Sequence, residues 1–394
     1  MYKKISSLLG LLGLLLIGCG EEATSKKTTS FKGELVQQND KAFPLDLETR
    51  FDRLNGQVVT VQDTLYFSFL NRENHSIYVY DFHTGSLRKK IALEKEGPNA
   101  APAPSFYFEY YIIDWNRILI NNLQHYIMIN DKGQVLNKSL VPESTSYFST
   151  ETIDFDNATF IKDDMLICGL RRTLAQEGNP SYKRAIFQLD SLQLIEKSID
   201  ERDFVSEYGA ILAKNTKNAE LGGLQGFTSN FAQAKEQLYA SYAINDSIFL
   251  FENGKQTNAF YAGNPKIKVA NLDAFFANTV VETFGTGGVR VYRNPKQAPT
   301  YLGLFADFDG RYIYRIMSHG AIPEYNEQSK REMPKSIGMS LIVFDTYTKQ
   351  SKAFDLPHEN ISVYGAFISD TGIHFPLKEQ EKEDQKVYAV FTMK

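Results

Sequence analysis

Cysteine is scarce. Cys19 and Cys168 are the only two in 394 residues, so a disulfide framework is excluded and stability has to come from a buried core. Cys168 lies in the apolar run MLICG, where a small core residue is expected rather than a nucleophile. Basic excess is also missing. Lys and Arg total 43 against 47 Asp and Glu, giving a net charge of −4 with no basic stripe, which argues against nucleic acid as a partner. His75, His83, His125, His319, His358 and His374 never fall in HxH or HExxH spacing, so no metal site is expected. No GxSxG elbow occurs. The Gly-rich stretch from Phe284 to Val289 lacks the Lys-Ser/Thr of a phosphate loop and reads as a turn. The acidic run from Glu379 to Asp384 lacks the ordered spacing and glycine of a calcium loop, so calcium has no support and no cofactor is expected.

A long apolar run is absent as well. Leu8 to Ile17 is apolar except for Gly10 and Gly13, follows Lys3 and Lys4, and then stops. A spanning helix needs about 20 such residues, whereas this layout is that of an export signal. Its end, Leu16-Ile17-Gly18-Cys19, resembles the bacterial lipobox, in which a small residue precedes a cysteine that is acylated and becomes the mature amino terminus. On that reading residues 1–18 are a signal peptide and Cys19 carries lipid. Two or three acyl chains on one residue hold a protein to a bilayer where one chain binds only marginally. Residues 19–42 are polar and read as a tether. Glu21 and Glu22 resemble an acidic signal that sends some lipoproteins to the outer face of the outer membrane, although a plain soluble linker has the same composition. The expected location is therefore the cell envelope, lipid-anchored at the outer membrane on its periplasmic or external side.

Aromatic residues are plentiful, at 13%, with 28 Phe and 22 Tyr, which favours strands. An internal repeat is visible: an apolar strand, a polar loop, a second apolar strand with an acidic or polar end, a tight turn, and a third short strand. The clearest copy is TLYFSFL, NRENHS, IYVYDF, HTGS, LRKKIAL, from residue 64 to 93. Further copies run over 117–141, 165–199, 238–262 and 312–356, and a truncated one over 372–392. The truncated copy lacks its last strand, which residues 43–48 (FPLDLE) are placed to supply; Pro44 cannot donate to a ladder and suits an outer edge. The expectation is an all-β, six-bladed β-propeller over residues 43–394, its ring closed by an N-terminal strand joining the last blade. Strands such as IYVYDF and IFLFE are apolar at nearly every position, as burial on both faces requires; a two-layer sandwich, the alternative, would show cleaner alternation.

The lipobox, the hairpin LNRENHSIYVYDFHTG and the loop Glu94-Lys95-Glu96-Gly97-Pro98-Asn99 together resemble the lipid-anchored six-bladed propellers of unknown function found in one Gram-negative phylum. That resemblance implies fold and location and brings no catalytic residue with it.

Connections between third and fourth strands are tight turns, whereas those on the opposite face are long: 169–183, 200–227, 263–300 and 318–339. Long loops on a rigid scaffold are the usual seat of recognition. They and their borders carry Arg171, Arg172, Arg290, Tyr292, Arg293, Tyr301, His319 and Tyr325. Guanidinium forks beside tyrosine rings suit a carbohydrate, peptide or anionic partner. The function expected is a membrane-anchored, non-catalytic binding or scaffolding module. The alternative is a propeller hydrolase or lyase, lactonase-like or glycan-cleaving, with carboxylates and calcium at the channel mouth.

Overall fold

The computed structural model describes residues 31–49, 56–102, 109–122, 125–140, 151–161, 165–172, 185–196, 230–252, 255–269, 280–284, 289–293, 297–328, 330–379 and 384–394. These form strands only. β1 (Leu35–Gln37) and β2 (Lys41–Pro44) precede a first four-stranded sheet of β3 (Gly56–Val61), β4 (Thr64–Asn71), β5 (Ser76–Asp81) and β6 (Leu87–Ala92). A second contains β7 (Glu109–Asp114), β8 (Arg117–Asn121), β9 (His125–Ile129) and β10 (Val135–Leu140). The third is made of β11 (Glu151–Ile161), β12 (Met165–Arg172), β13 (Ala185–Gln188) and β14 (Gln193–Glu196). The fourth comprises β15 (Asn230–Ala234), β16 (Gln237–Ser241), β17 (Ser247–Glu252) and β18 (Lys255–Tyr261). After a separate hairpin, β19 (Val280–Phe284) with β20 (Val289–Arg293), comes β21 (Thr300–Ala306) and β22 (Tyr312–Ser318). A second separate hairpin, β23 (Ala321–Asn326) with β24 (Arg331–Ser336), interrupts the fifth sheet, which continues with β25 (Met339–Asp345) and β26 (Gln350–Asp355). Last come β27 (Phe367–Ser369), β28 (Gly372–Pro376) and β29 (Gln385–Met393).

Every pairing is antiparallel, and each four-stranded sheet is an up-and-down meander of consecutive blade strands. The first strands of successive sheets touch in a cycle: β3 with β7, β7 with β11, β11 with β15, β15 with β21, β21 with β27, and β27 with β3. This is a β-propeller, and the sandwich alternative is excluded.

The expectation of six four-stranded blades closed by one N-terminal strand is corrected. Among the described residues there are five four-stranded blades, not six. The remaining sheet is composite and five-stranded, built from β27, β28 and β29 together with both β1 and β2. β29 is nine residues long, and its outer edge holds the two N-terminal strands end to end: Leu35 to Gln37 lie opposite Met393 to Phe391, and Lys41 to Pro44 opposite Tyr388 to Gln385. Gln38 still donates its N–H to Val390 at 2.8 Å, so the break between β1 and β2 is local. Pro44 sits at the end of this edge, as its missing donor requires. Among the described residues strand thus begins at Leu35, ahead of position 43.

The central strands read as near-continuous apolar runs because both their faces are covered. Ile77 to Tyr80 of β5 and Leu341 to Phe344 of β25 are fully buried. Tight turns close the blades on one face: in Asp81–Ser86 the Asp81 carboxylate accepts from the Thr84 N–H at 2.8 Å, and Gly85 takes the left-handed conformation at φ 68°. Cys168 lies in β12 opposite Ala185; its side chain is outside the described residues. β19 and β20 pair from Val280 opposite Arg293 to Phe284 opposite Val289; the glycines of the Gly-rich stretch lie outside the described residues.

One aromatic cluster joins the chain ends to the first blade. Phe43 of β2 stacks on Phe67 of β4 at 4.1 Å and meets Tyr388 of β29 edge-on at 6.1 Å. Phe367 lies 5.2 Å from Phe67, and His374 stacks on Phe367 at 4.6 Å. Burial holds the His374 imidazole down to about 3, so it is a neutral ring that hydrogen-bonds Ser369. Aromatic pairs of this kind add about 0.5–1.5 kcal/mol each beyond the area they bury.

Candidate functional site

Between β22 and β25 the chain leaves the fifth blade on the long-loop face and returns, and the excursion folds as the β23–β24 hairpin. Its base is clamped. His319 donates its N–H to the Gly338 carbonyl at 2.9 Å, and Gln297 and Ala321 exchange two backbone bonds at 3.0 and 2.9 Å. Gly338 is required by this closeness, since a Cβ there would meet His319 Nδ1 at 2.4 Å. Beyond the clamp the strands project outward: every residue from Ile322 to Asn326 is exposed.

The hairpin, the connection that follows β26 and the residues just after β28 border a groove of about 570 Å³. Glu324 and Tyr325 come from β23; Met333, Lys335 and Ser336 from β24; Glu359 and Lys378 form the opposing side. Glu324 and Lys335 form an ion pair at 2.5 Å, and the bond raises the lysine pKa. Lys378 donates to the His358 carbonyl at 2.7 Å, which fixes its stem against the loop. Tyr325 presents an exposed ring, at 57%. Ser336 Oγ is shielded from solvent and has no hydrogen-bond partner among the described residues. Such an open hydrogen-bonding position is uncommon for a buried polar atom. The groove therefore offers both signs of charge and an aromatic face, within the size range of small-molecule and peptide pockets.

Below the hairpin lies a Ser, His and Asp set that is not a catalytic triad. His319 Nε2 lies 2.7 Å from Ser340 Oγ, and Ser340 also bonds Asp355 at 3.4 Å and accepts from Asn264 at 3.0 Å. A triad needs its acid on the far nitrogen of the imidazole and an exposed hydroxyl. Here the acid meets the serine, and Ser340 is 0% exposed. Burial lowers the His319 pKa, so the ring is neutral and acts as a strut between the hairpin and β25.

A buried cation anchors the same blade to its neighbour. Arg315 of β22 is 1% exposed; its Nε donates to Ser241 Oγ at 2.7 Å, and its Nη atoms donate to the Ala262 carbonyl at 2.9 Å and the Tyr242 carbonyl at 3.1 Å, and to the carbonyl of Asn245. The Tyr301 ring covers the guanidinium at 3.3 Å, and the Tyr301 hydroxyl donates to Asp246 at 2.6 Å. Burial pushes the Tyr301 pKa up, so the phenol stays protonated. A planar fork that satisfies a serine and three backbone acceptors is the geometry that makes a buried guanidinium tolerable.

Of the residues singled out in the sequence, the structure brings His319 and Tyr325 into one loop, with Tyr325 in the groove wall. Tyr301 is 1% exposed beneath it, bound into the Arg315 knot. Arg171 and Arg172 end β12 opposite Thr152 and Glu151; Arg290, Tyr292 and Arg293 lie in β20 opposite Thr283, Val281 and Val280. The side chains of these five are outside the described residues. Glu324, Lys335, Glu359 and Lys378 were not singled out; the groove joins positions far apart in sequence, and no local pattern marks them. Among the described residues no group of three or more His, Cys, Asp or Glu is placed to hold a metal.

Replacing Arg315 by Lys, which has one donor head in place of the fork, leaves buried acceptors unpaired and is expected to destabilise the fold by about 2–4 kcal/mol. A urea midpoint equal to wild type would contradict the role assigned to Arg315.

A structure of a DUF4221 family member from Bacteroides vulgatus is similar to this chain, with a TM-score of 0.65 and 17% identity over 92% of this chain and 98% of that one. A second, from Bacteroides fragilis and named for predicted export, has a TM-score of 0.53 and 11% identity over 92% and 95%. At these identities the likeness establishes the fold alone. No protein of curated function matches the sequence. The model of the domain of unknown function DUF4221 matches residues 32–350, most of the chain, and the protein belongs to that family.

Proposed function

We propose that the protein is a lipid-anchored binding module of the cell envelope whose propeller captures an extended peptide segment in the β23–β24 groove without transforming it. The observation that carries this reading is the groove itself. It lies on the long-loop face, and its wall alternates an apolar surface, Tyr325 and Met333, with charges of both signs, Glu324, Lys335, Glu359 and Lys378. A peptide presents the same alternation of apolar, charged and hydrogen-bonding groups. The rigid clamp at the hairpin base favours binding, because less ordering is lost when a ligand docks.

The anchor rests on Leu16 to Cys19 and on the name of the Bacteroides fragilis relative. No helix among the described residues is long and apolar enough to cross a membrane. In cells fed labelled palmitate, Cys19→Ser is expected to remove the label and move the protein from the membrane to the soluble fraction. Retention of both would refute the anchor.

The groove is tested with a peptide array followed by calorimetry on the tightest peptides. Tyr325→Ala and the charge reversal Lys335→Glu are each expected to weaken binding at least tenfold, about 1.4 kcal/mol. Peptides bound equally by both variants, or cleaved by the protein, would contradict the reading.

A further inference from the structure

The opposite, tight-turn face carries a second cleft, between the first two blades. Its volume is about 300 Å³, and it is lined by Thr64, Tyr66, Asp81, Arg88, Lys89 and Trp115. Each residue arrives by the logic of the blade. Thr64 and Tyr66 open β4; Asp81 ends β5; Arg88 and Lys89 lie in β6; and Trp115 forms the turn between β7 and β8. Tyr66 and Trp115 meet at 5.0 Å with their planes at 75°, so the two rings form a corner. The Trp115 backbone carbonyl accepts the Asp131 N–H at 2.8 Å, which ties this turn to the next one.

The charges in and around this corner are balanced. Lys89 is paired with Asp131 and lies over the indole, 4.5 Å from its centroid. Arg88 donates to Asp81 at 3.3 Å, leaving most of its fork unused on a side chain that is more than half exposed. Asp81 is kept ionised by the Thr84 N–H and hydroxyl, followed by Arg88. Two cations therefore face two carboxylates. A phosphate or other strong anion is opposed by the Asp81 and Asp131 carboxylates beside these cations, and a cation is opposed by Arg88 and Lys89. A neutral polyhydroxyl ligand is opposed by neither: its hydroxyls bridge the carboxylate and the guanidinium edge as both donor and acceptor, while its C–H face packs on the aromatic corner.

We infer that this cleft is a binding subsite for a neutral sugar of one or two rings, on the face opposite the β23–β24 groove and independent of it. The chain supplies its own reporter, because Trp115 is its only tryptophan. In a titration of the purified chain with a panel of neutral mono- and disaccharides, at least one is expected to change the tryptophan emission saturably. Arg88→Ala and Tyr66→Ala should each raise the Kd at least tenfold, Arg88→Ala while leaving the melting temperature of the free protein close to wild type and Tyr66→Ala while the protein remains folded. Trp115→Phe, followed by calorimetry, checks the same loss without the fluorophore. Because no net charge is engaged, raising sodium chloride to about 0.5 M should change the affinity less than twofold. The inference is overturned if no neutral sugar in the panel gives a saturable change, if the Kd is indifferent to Arg88→Ala and Tyr66→Ala, or if a sugar phosphate binds more tightly than the neutral sugar.

Discussion

Closure of the ring through β29 is the constraint on which the rest of the structure depends. A circular array of sheets has two loose ends unless the termini share one sheet, and here both N-terminal strands lie along the outer edge of the last strand. Backbone pairing runs from Glu34 with Lys394 to Leu45 with Asp384, so the outer edge of β29 is covered along almost its whole length, while β28 covers Tyr388 to Phe391 on the inner edge. Phe43 then adds a side-chain lock, since its ring is shared among β4, β5 and β29. Blades in such an array depend on their neighbours for a core, and a ring opened at this seam would expose the aromatic cluster of the first blade.

Closure also fixes what each face can do. On one face the connections are short and capped by their own side chains, and its cleft comes from the meeting of two blades. On the other, the fifth blade carries a hairpin that stands clear of the sheet, held by the His319 strut, the Gln297 clamp and, one layer down, the Arg315 knot. The two candidate sites differ accordingly. The groove is built by an insertion, whereas the Trp115 cleft is built from the repeat itself.

The blade cores were legible in the sequence because two-sided burial leaves an unmistakable trace: IYVYDF, YIMIND, SIFLFE and LIVFD all fall in third strands, and the turns after them carry Asp, Asn or Gly. The first strand of each blade was not, because GQVVTV, EYYIID and NFAQA are short or mixed and take their burial from neighbouring blades. The closing sheet was misread in its composition because Leu35 to Gln37 sit in a polar stretch, and only the length of β29 gives them a partner. Arg315 is invisible to any reading in which arginine means surface. Tyr301 drew attention as an exposed aromatic and is instead the lid on that guanidinium. Glu324, Lys335, Glu359 and Lys378 meet only after the loop around them has folded, so no spacing could have named them as one site.

Native-state hydrogen exchange read residue by residue tests closure most directly. If the ring is sealed as described, the amides of Val36, Gln38 and Phe43, which face β29, exchange as slowly as those of Val387 to Phe391, in one cooperative unit with the first blade. Fast exchange of these three beside a protected β29 would show an open seam and contradict the account.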